Sequence, residues 1–380
     1  MSVLEKAPLL VDNEALRSSF PGKKSPPTFR LVIHGGAGTM DKSRSTPELR
    51  AKYKAALSRA LLAGYAVLEA GGEAVDAAVA AVSSMEDCPL FNSGKGAVFN
   101  VAGKNELETS LMLSRPPSTH PSIPPTRRGV GITLLTHTRN PSKLARALYL
   151  APDAAPHTMF SGTAAESLGA PLGIELVDES YFFTEQRWRE HRRGLGLPDE
   201  PLPYPTKPDG DTQVPFDQLP TGTVGAVALD VRGCIASVTS TGGRTNKLVG
   251  RVGDTPSTGS GFWAEEWKVR GWPRRAWRHV RGKSATVAMG VSGTGDGDYF
   301  IRLATASTIG RRMKYLHESV SAAARACVEE LRHDGGVGGV IALDNAGNVT
   351  MPMNCSGMYR GVVYEDGVPK TAIFDDDELD

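Results

Sequence analysis

A nine-residue stretch, Gly222 to Asp230, constrains this chain more than any other part of its sequence. Val224 to Leu229 is a run of small apolar residues that ends before the turn Arg232-Gly233, which predicts a buried strand followed by a turn. Thr223 is the first residue of that strand. The segment before it, about residues 194–222, is rich in proline and polar residues, so we expect a flexible linker there.

Cleavage between Gly222 and Thr223 would leave a chain that begins with threonine. Its hydroxyl and its free α-amine would then belong to one residue, which is the arrangement of N-terminal threonine catalysis. An α-amine with a pKa of about 7.7 to 8.0 can take the hydroxyl proton near neutral pH. Gly222 also permits the strained backbone that self-cleavage requires. Our central hypothesis is therefore self-cleavage at Gly222-Thr223.

The composition argues against several classes of partner. Forty-three basic and 42 acidic residues give a net charge of +1, so no global field would attract nucleic acid or an anionic membrane. The four cysteines are far apart, without the spacing of a zinc site. Residues 1–28 hold no apolar run of signal-peptide or membrane-span length, and we interpret them as a disordered tail. We expect a cytoplasmic protein that acts on a small molecule.

Strands and helices are predicted to alternate along the chain. A strand at 29–33 precedes a glycine turn, His34 to Gly38, and a proline-initiated helix runs from Thr46 to the stop at Gly71-Gly72. The turn between 223–231 and 234–240 predicts an antiparallel hairpin. The remaining predicted elements are helices at 73–85, 142–150, 299–315 and 319–333, and strands at 97–100, 130–137, 285–291, 339–344 and 348–353.

Two glycine-rich segments carry candidate binding groups. Arg251 and Asp254 lie among glycines, where they could bind the carboxylate and the amine of an amino acid, or simply form a salt bridge with each other. Ser292 to Asp298 predicts a turn whose backbone amides could hold an oxyanion. Between them, about residues 262–285 form a Trp- and Arg-rich insertion. Nucleic-acid binding is one interpretation of it, and a solvated insertion that could act as a lid is the favoured one.

These blocks together resemble the plant-type asparaginase and isoaspartyl peptidase family of N-terminal-nucleophile hydrolases. The resemblance covers roughly residues 29–365, and the block at Gly222 is its most specific part. It implies an α+β fold, a four-layer αββα sandwich. It also implies one domain made of an α chain, residues 29–222, and a β chain, residues 223–380. The matching motifs are His34 to Gly38, Phe91 to Gly94, Gly222 to Asp230, Ser240 to Gly243, Asn246-Lys247, Gly250 to Asp254, and Thr294-Gly295 with Gly297.

The same resemblance implies a role for each matching residue. Thr223 would be the nucleophile and Thr241 its hydrogen-bonding neighbour. Arg251 and Asp254 would bind the substrate's α-carboxylate and α-amine. The remaining implied roles are an oxyanion hole made by Thr294 and the Gly295 amide, substrate contacts at Gly295 and Gly297, and a supporting role for Asn92. The resemblance further implies a structural Na⁺ in the loop near Glu86 to Asn92, no other cofactor, and a homodimer of αβ units.

The expected function is hydrolysis of L-asparagine and of β-aspartyl dipeptides. The chain departs from the family pattern at Glu106 to Ser110 and at Asp296, where asparaginase relatives often have histidine. Two alternatives therefore stay open: a glycosylasparaginase-like or threonine-aspartase-like hydrolase that uses the same nucleophile, and a relative that binds a ligand without processing itself.

Overall fold

Strands of small and β-branched residues, separated by glycine turns, build two packed sheets in the computed structural model. The structure describes residues 28–40, 42–43, 45–204, 222–280 and 284–380. Nearly all of the predicted N-terminal tail and most of the predicted linker lie outside these residues.

The larger sheet has eight strands in the order β12-β11-β1-β5-β6-β2-β3-β4. Neighbouring strands are antiparallel except for β3 and β4. The predicted hairpin at Thr223 is confirmed as β5 and β6, which lie at the centre of this sheet. Its strands are β1 (Arg30–Gly38), β2 (Leu107–Leu113), β3 (Gly129–Leu135), β4 (Met159–Ser161), β5 (Val224–Leu229), β6 (Ile235–Thr241), β11 (Gly357–Val363) and β12 (Lys370–Phe374).

The smaller sheet has four antiparallel strands in the order β10-β9-β8-β7. Its inner face packs on the larger sheet through side chains that include Val32, Val227, Ile235 and Ile341. The strands are β7 (Phe262–Lys268), β8 (Thr286–Gly295), β9 (Gly338–Asp344) and β10 (Val349–Thr350).

Helices cover the outer face of each sheet. α1, α2 and α3 pack on the larger sheet, and α8 and α9 pack on the smaller one. This gives the four layers of the expected αββα sandwich, so the predicted fold class is confirmed. The helices are α1 (Pro47–Glu69), α2 (Ala74–Glu86), α3 (Pro141–Leu150), α4 (Gly162–Gly169), α5 (Glu185–Gly194), α6 (Trp272–Val280), α7 (Gly297–Leu303), α8 (Thr305–Arg311) and α9 (Val320–His333).

Several predicted elements need correction. The glycines after His34 continue β1 across a bulge instead of forming a turn, and β8 runs through to Gly295. The predicted helix at 299–315 is broken at Ala304, whose φ of 47° interrupts the helical path between α7 and α8. Residues 97–100 make only an isolated bridge at Asn100. Strands β2, β4, β7, β11 and β12 were not predicted.

Candidate active site

Thr223 lies between the two sheets, at the start of β5. Its backbone amide donates to the Thr294 hydroxyl at 3.0 Å, and the amide of Ala37 donates to the same oxygen at 3.1 Å. Gly222 is packed so closely that a Cβ there would lie 2.6 Å from Thr294 Oγ1 and 2.7 Å from the Ala37 nitrogen. Only glycine fits between β1 and β8 at this position. The bond before Thr223 is therefore held against Thr294.

A chain of hydrogen bonds holds the other side of Thr223. His34 Nδ1 lies 2.8 Å from the Thr223 carbonyl oxygen, and Nε2 lies 2.8 Å from Ser292 Oγ. Burial lowers the pKa of His34 to about 3, so the ring is neutral. A carbonyl can only accept, so Nδ1 carries the proton and Nε2 accepts from Ser292, whose oxygen is 2.8 Å from the Thr239 hydroxyl. Sequence reasoning assigned no role to His34, Ser292 or Thr239.

Strand register brings Thr223, Thr241 and Glu108 into one row across the larger sheet. Val224 pairs with Ser240, so the same register places Thr223 opposite Thr241, and Thr241 pairs with Glu108 on β2. Adjacent strands lie about 4.8 Å apart. The Thr241 hydroxyl accepts the Gly243 amide at 2.9 Å. Thr241 therefore neighbours Thr223, and the hydrogen bond to the nucleophile that the resemblance implies stays a prediction.

Asn92 connects the loop after α2 to the residues that follow Thr241. Its side-chain nitrogen donates to the Gly243 carbonyl at 2.7 Å, and its side-chain oxygen accepts the Val98 amide at 3.0 Å. The Gly242 amide donates to the Asn92 carbonyl at 2.9 Å. Asn92 therefore joins this loop to the backbone after Thr241, and its supporting role in the site stays a prediction.

Arg251 and Asp254 do not form a salt bridge with each other. Arg251 instead pairs with Asp298 of α7 at 3.2 Å, and its side chain is about one-fifth exposed. Asp254 is buried, and its Oδ2 has no hydrogen-bond partner among the described residues. Gly297 packs directly on Asp254 Oδ1, where a Cβ would collide. The loop thus offers a partly exposed cation beside a buried carboxylate with an unused oxygen.

The electrostatics of Asp254 suit binding of an amine. Burial raises the pKa of Asp254 to about 7, and the negative charge of Glu108 adds to the rise while Arg251 opposes it. A buried carboxylate without a counter-ion is costly. An ammonium group at Oδ2 would supply that counter-ion, so the site favours a ligand with a positively charged amine.

Gly295 and Asp296 end β8 beside these groups. Asp296 accepts the Val337 amide through Oδ2 at 3.2 Å, and its own amide donates to the Val337 carbonyl at 2.7 Å. The aspartate that stands where relatives often have histidine is thus tied to the start of β9. The Thr294 hydroxyl faces the Gly222-Thr223 bond from the smaller sheet, and Gly295 packs against Val337 and Gly338.

The Trp- and Arg-rich insertion is shorter than predicted and lies away from Thr294. Residues 262–268 belong to the core as β7, and only the segment from Val269 to Ala285 leaves the sheet. It joins Lys268 to Thr286, at the opposite end of β8 from Thr294. Eight residues of strand correspond to about 27 Å. The described part of the insertion, residues 269–280 and 284–285, therefore starts and ends away from Thr294.

The loop near Glu86 to Asn92, where Na⁺ is expected, differs in how its carboxylate and backbone oxygens are used. Both carboxylate oxygens of Glu86 are used by Ser142, at 2.9 and 2.8 Å. The carbonyl oxygens of Pro89 and Phe91, however, both lie close to Gly96, where a Cβ would clash with them. Such oxygens are ligands that hard cations accept. The Glu86 side chain is therefore already used, and backbone oxygens of the loop are the groups left to bind the expected Na⁺. No group of three or more His, Cys, Asp or Glu side chains suited to a metal occurs among the described residues.

Comparison with known proteins agrees with this geometry. The family model described as Asparaginase matches residues 27–269 and 281–373. The chain belongs to this asparaginase family. The asparaginase model omits residues 270–280, so helix α6 is an addition to the family fold.

Relatives in the asparaginase family span most of the chain. The isoaspartyl peptidase of Escherichia coli strain K12 is 36% identical over 350 residues, which cover 90% of this chain and 95% of that protein. A putative isoaspartyl peptidase/L-asparaginase of Dictyostelium discoideum is 34% identical, over 88% of this chain and 93% of the relative. The isoaspartyl peptidase/L-asparaginase of Xenopus laevis is 31% identical, with 88% and 92% covered. Over the described residues, no helix is both long and apolar enough to cross a bilayer.

Proposed function

We propose that this chain is a self-cleaving threonine hydrolase that converts L-asparagine to aspartate and ammonia and cleaves β-aspartyl dipeptides. The observation that carries the proposal is the position of Thr223. Its amide nitrogen lies 3.0 Å from Thr294 Oγ1, at a glycine bond that β1 and β8 enclose. The family and the names of the relatives support the same chemistry.

In the first reaction the Thr223 hydroxyl attacks the Gly222 carbonyl carbon. The C–N bond breaks, an ester forms between Gly222 and Thr223 Oγ, and the nitrogen leaves as an amine. The hydroxyl proton ends on that amine, and water then hydrolyses the ester to give the Gly222 carboxylate and a β chain that begins with Thr223, with its hydroxyl and α-amine free. His34 holds the Thr223 carbonyl while Thr294 holds its nitrogen, so the peptide has little freedom to rotate away.

The second reaction uses the amine that the first one creates. The α-amine takes the proton of the Thr223 hydroxyl, and the oxygen attacks the side-chain carbonyl of asparagine. The resulting ammonium gives its proton to the departing ammonia, or to the departing amine of a dipeptide. A β-aspartyl ester on Thr223 remains, and water releases aspartate. Thr294 and the Gly295 amide are proposed to stabilise the oxyanion, with Thr241 beside the nucleophile.

Substrate would be anchored by its α-carboxylate and α-amine. Arg251 suits the carboxylate, since its guanidinium is partly exposed and needs only to release Asp298. Asp254 suits the amine, since its buried Oδ2 lacks a partner. Gly297 keeps the space next to Asp254 free of a side chain. L-Amino acids carry both groups on one carbon, which selects this substrate class.

Two further features are part of the proposal. A homodimer of αβ units in the cytoplasm follows the resemblance, and sedimentation with and without prior cleavage would test the dimer. We also propose that a monovalent cation binds the backbone carbonyls around Gly96. A higher melting temperature in sodium chloride than in choline chloride of equal ionic strength would support this, and equal values would contradict it.

The proposed activity is tested with a substrate panel. Processed protein should release ammonia from L-asparagine and leucine from β-aspartyl-leucine, and Thr223→Ala protein should release neither. A glycoasparagine in the same panel separates the glycosylasparaginase-like alternative. Turnover of the glycoasparagine alone would contradict the proposal, and so would full activity of the Thr223→Ala variant.

A further inference from the structure

The segment Glu106 to Ser110, which departs from the family pattern, reaches the substrate loop through two carboxylates. Glu106 and Glu108 are both at least nine-tenths buried. Glu106 accepts the Gly250 amide, with Oε1 at 3.1 Å and Oε2 at 3.3 Å. Glu108 accepts the Gly253 amide, with Oε1 at 2.9 Å and Oε2 at 3.2 Å. The two contacts lie on either side of Arg251.

Glu106 is itself held in place. Its Oε2 accepts the Asn100 side-chain amide at 2.9 Å, and its backbone carbonyl accepts the buried Lys247 ammonium at 2.5 Å. Lys247 also donates to the Gly242 carbonyl at 3.0 Å. The Glu106 carboxylate therefore belongs to a hydrogen-bond network that reaches Gly242, after Thr241. This network fixes the position of the Gly250 loop relative to the larger sheet.

Glu108 connects the loop to the nucleophile. It lies opposite Thr241 on β6, and Thr241 in turn lies opposite Thr223 by the β5–β6 register. Its Oε2 would also lie 3.1 Å from a Cβ on Gly253, next to the Arg251 guanidinium. The Glu108 side chain therefore joins β2, which is separated from β5 by β6, to the loop that carries the proposed substrate anchors.

A loop rich in glycine has no stiffness of its own. Gly250 has a φ of 80°, and Leu248 and Val249 beside it are largely exposed. Without outside contacts such a segment samples many conformations. Hydrogen bonds to charged acceptors are the stronger kind, and a binding group displaced by about 1 Å loses much of its effect.

We propose that Glu106 and Glu108 are positioning residues, which hold the Gly250-to-Asp254 loop so that Arg251 and Asp254 meet the substrate in register with Thr223. They do not touch substrate. The inference rests on the proposed function, because it concerns the same site. The segment Glu106 to Ser110, which departs from the family pattern, would thus set the affinity for the α-carboxylate and α-amine of the substrate.

The negative charge of Glu108 has a second effect, because it raises the pKa of Asp254. The charged groups that act on Asp254 are Glu108 on β2, Arg251 after β6 and Asp298 on α7. Glu108 is the largest charge contribution that raises the pKa of Asp254. Removal of that charge should lower the pKa of Asp254, so that the amine-binding form persists to lower pH. A purely structural residue would leave the pH profile unchanged.

The test uses processed full-length protein and the variants Glu106→Ala, Glu108→Ala and Glu108→Gln. Both alanine variants should raise KM for asparagine at least about tenfold with kcat changed less than about threefold, since a hydrogen bond to a charged group is worth about a factor of ten or more. Glu108→Gln keeps an oxygen for the Gly253 amide, so its KM should rise less while the acid limb of kcat/KM moves to lower pH.

A matched control is Glu166→Gln on α4. Glu166 is also buried and accepts the backbone amides of Thr136, His137 and Thr138, at 2.9, 2.7 and 3.0 Å, in the turn after β3 and outside the Gly250-to-Asp254 loop. It should alter melting temperature without altering KM. KM values within twofold of wild type for both alanine variants would overturn the inference, as would an equal KM rise in the Glu166 control.

Hydrogen exchange separates this inference from the proposed function. The amides of Gly250 and Gly253 should exchange at least about tenfold faster in the matching alanine variants, whether or not the protein hydrolyses asparagine. If wild-type protein turns over no substrate but these amides lose protection, only the proposed function fails. If turnover is normal and protection is unchanged, the positioning role fails.

Discussion

The Thr294 hydroxyl accepts a hydrogen bond from the backbone nitrogen of Thr223 at 3.0 Å, across the gap between the two sheets. The two residues are 71 positions apart in the chain. The peptide nitrogen that must leave during self-cleavage is therefore already bound by a side chain from the opposite sheet. After cleavage the same oxygen lies next to the new α-amine.

Replacing Thr294 should affect both reactions. Thr294→Ala removes the partner of the scissile nitrogen, so cleavage of the precursor should slow. In protein that is already processed, loss of one oxyanion donor should lower kcat by about 10² to 10³ with a small change in KM. Thr294→Ser keeps the hydroxyl and should retain most activity. A near-normal kcat with a lowered melting temperature would assign Thr294 a structural role instead.

Gly222→Ala should block self-cleavage without unfolding the protein. The added Cβ would lie 2.6 Å from Thr294 Oγ1, so the scissile peptide must move away from it. Because Gly222 follows the linker, the displacement costs the core little. Gel analysis over several days should show the uncut chain, and circular dichroism should match wild type. Cleavage at the wild-type rate would show that the close fit is not required.

Arg251 and Asp298 should have opposite effects on substrate affinity. Arg251→Ala removes the group that binds the substrate carboxylate. KM should rise steeply, because a hydrogen bond to a charged group is worth about 1.5 to 3 kcal/mol of binding free energy. Asp298→Asn frees the guanidinium from its 3.2 Å ion pair. Since an exposed pair is worth at most about 1 kcal/mol, KM should fall by up to about fivefold. Steady-state kinetics on both variants test this prediction. An unchanged KM in either variant would show that the replaced residue does not affect substrate affinity.

The pH dependence of kcat/KM should carry the signature of Asp254. Its pKa is raised to about 7, and the charged form binds the substrate amine. Below pH 7 the carboxyl is protonated, so kcat/KM should rise with pH through about 7, whereas kcat at saturation should depend on it less. Asp254→Asn should remove the part of the rise centred near pH 7 and leave the part, near pH 7.7 to 8.0, that comes from the Thr223 α-amine. A profile that is flat from pH 6 to 8 in wild type would exclude Asp254 as the titrating group.

Sequence pattern predicted the strands that are apolar and the residues that matched family motifs. The structure places Thr294 against Thr223 and Thr241 beside it, whereas their catalytic roles and that of the Arg251 loop stay predictions. β2 escaped prediction because Glu108, Thr109 and Ser110 are polar, yet all three are buried. The desolvation cost of polar residues in a buried strand is offset only by hydrogen-bond partners that folding brings near. No local sequence pattern reveals those partners.

The hydrogen-bond chain through His34 was hidden for the same reason. Its members come from β1, β6 and β8, and they meet only once the two sheets pack face to face. The break at Ala304 has no sequence signal, because alanine favours helix. The contacts of the Glu106 and Glu108 carboxylates with the Gly250 loop likewise depend on the register between β2 and β6. Tertiary contacts, not local preference, determine these features.

The most direct test is to identify the N-terminus of the smaller fragment after purified protein is incubated at neutral pH. Mass spectrometry should find a β chain that begins with an unmodified Thr223 and an α chain that ends at Gly222, while Thr223→Ala protein stays whole. Thr223→Ser should still be cut, because it keeps the hydroxyl. A Thr223→Ala protein that is cut at this bond, or a wild-type chain that stays intact, would contradict the account.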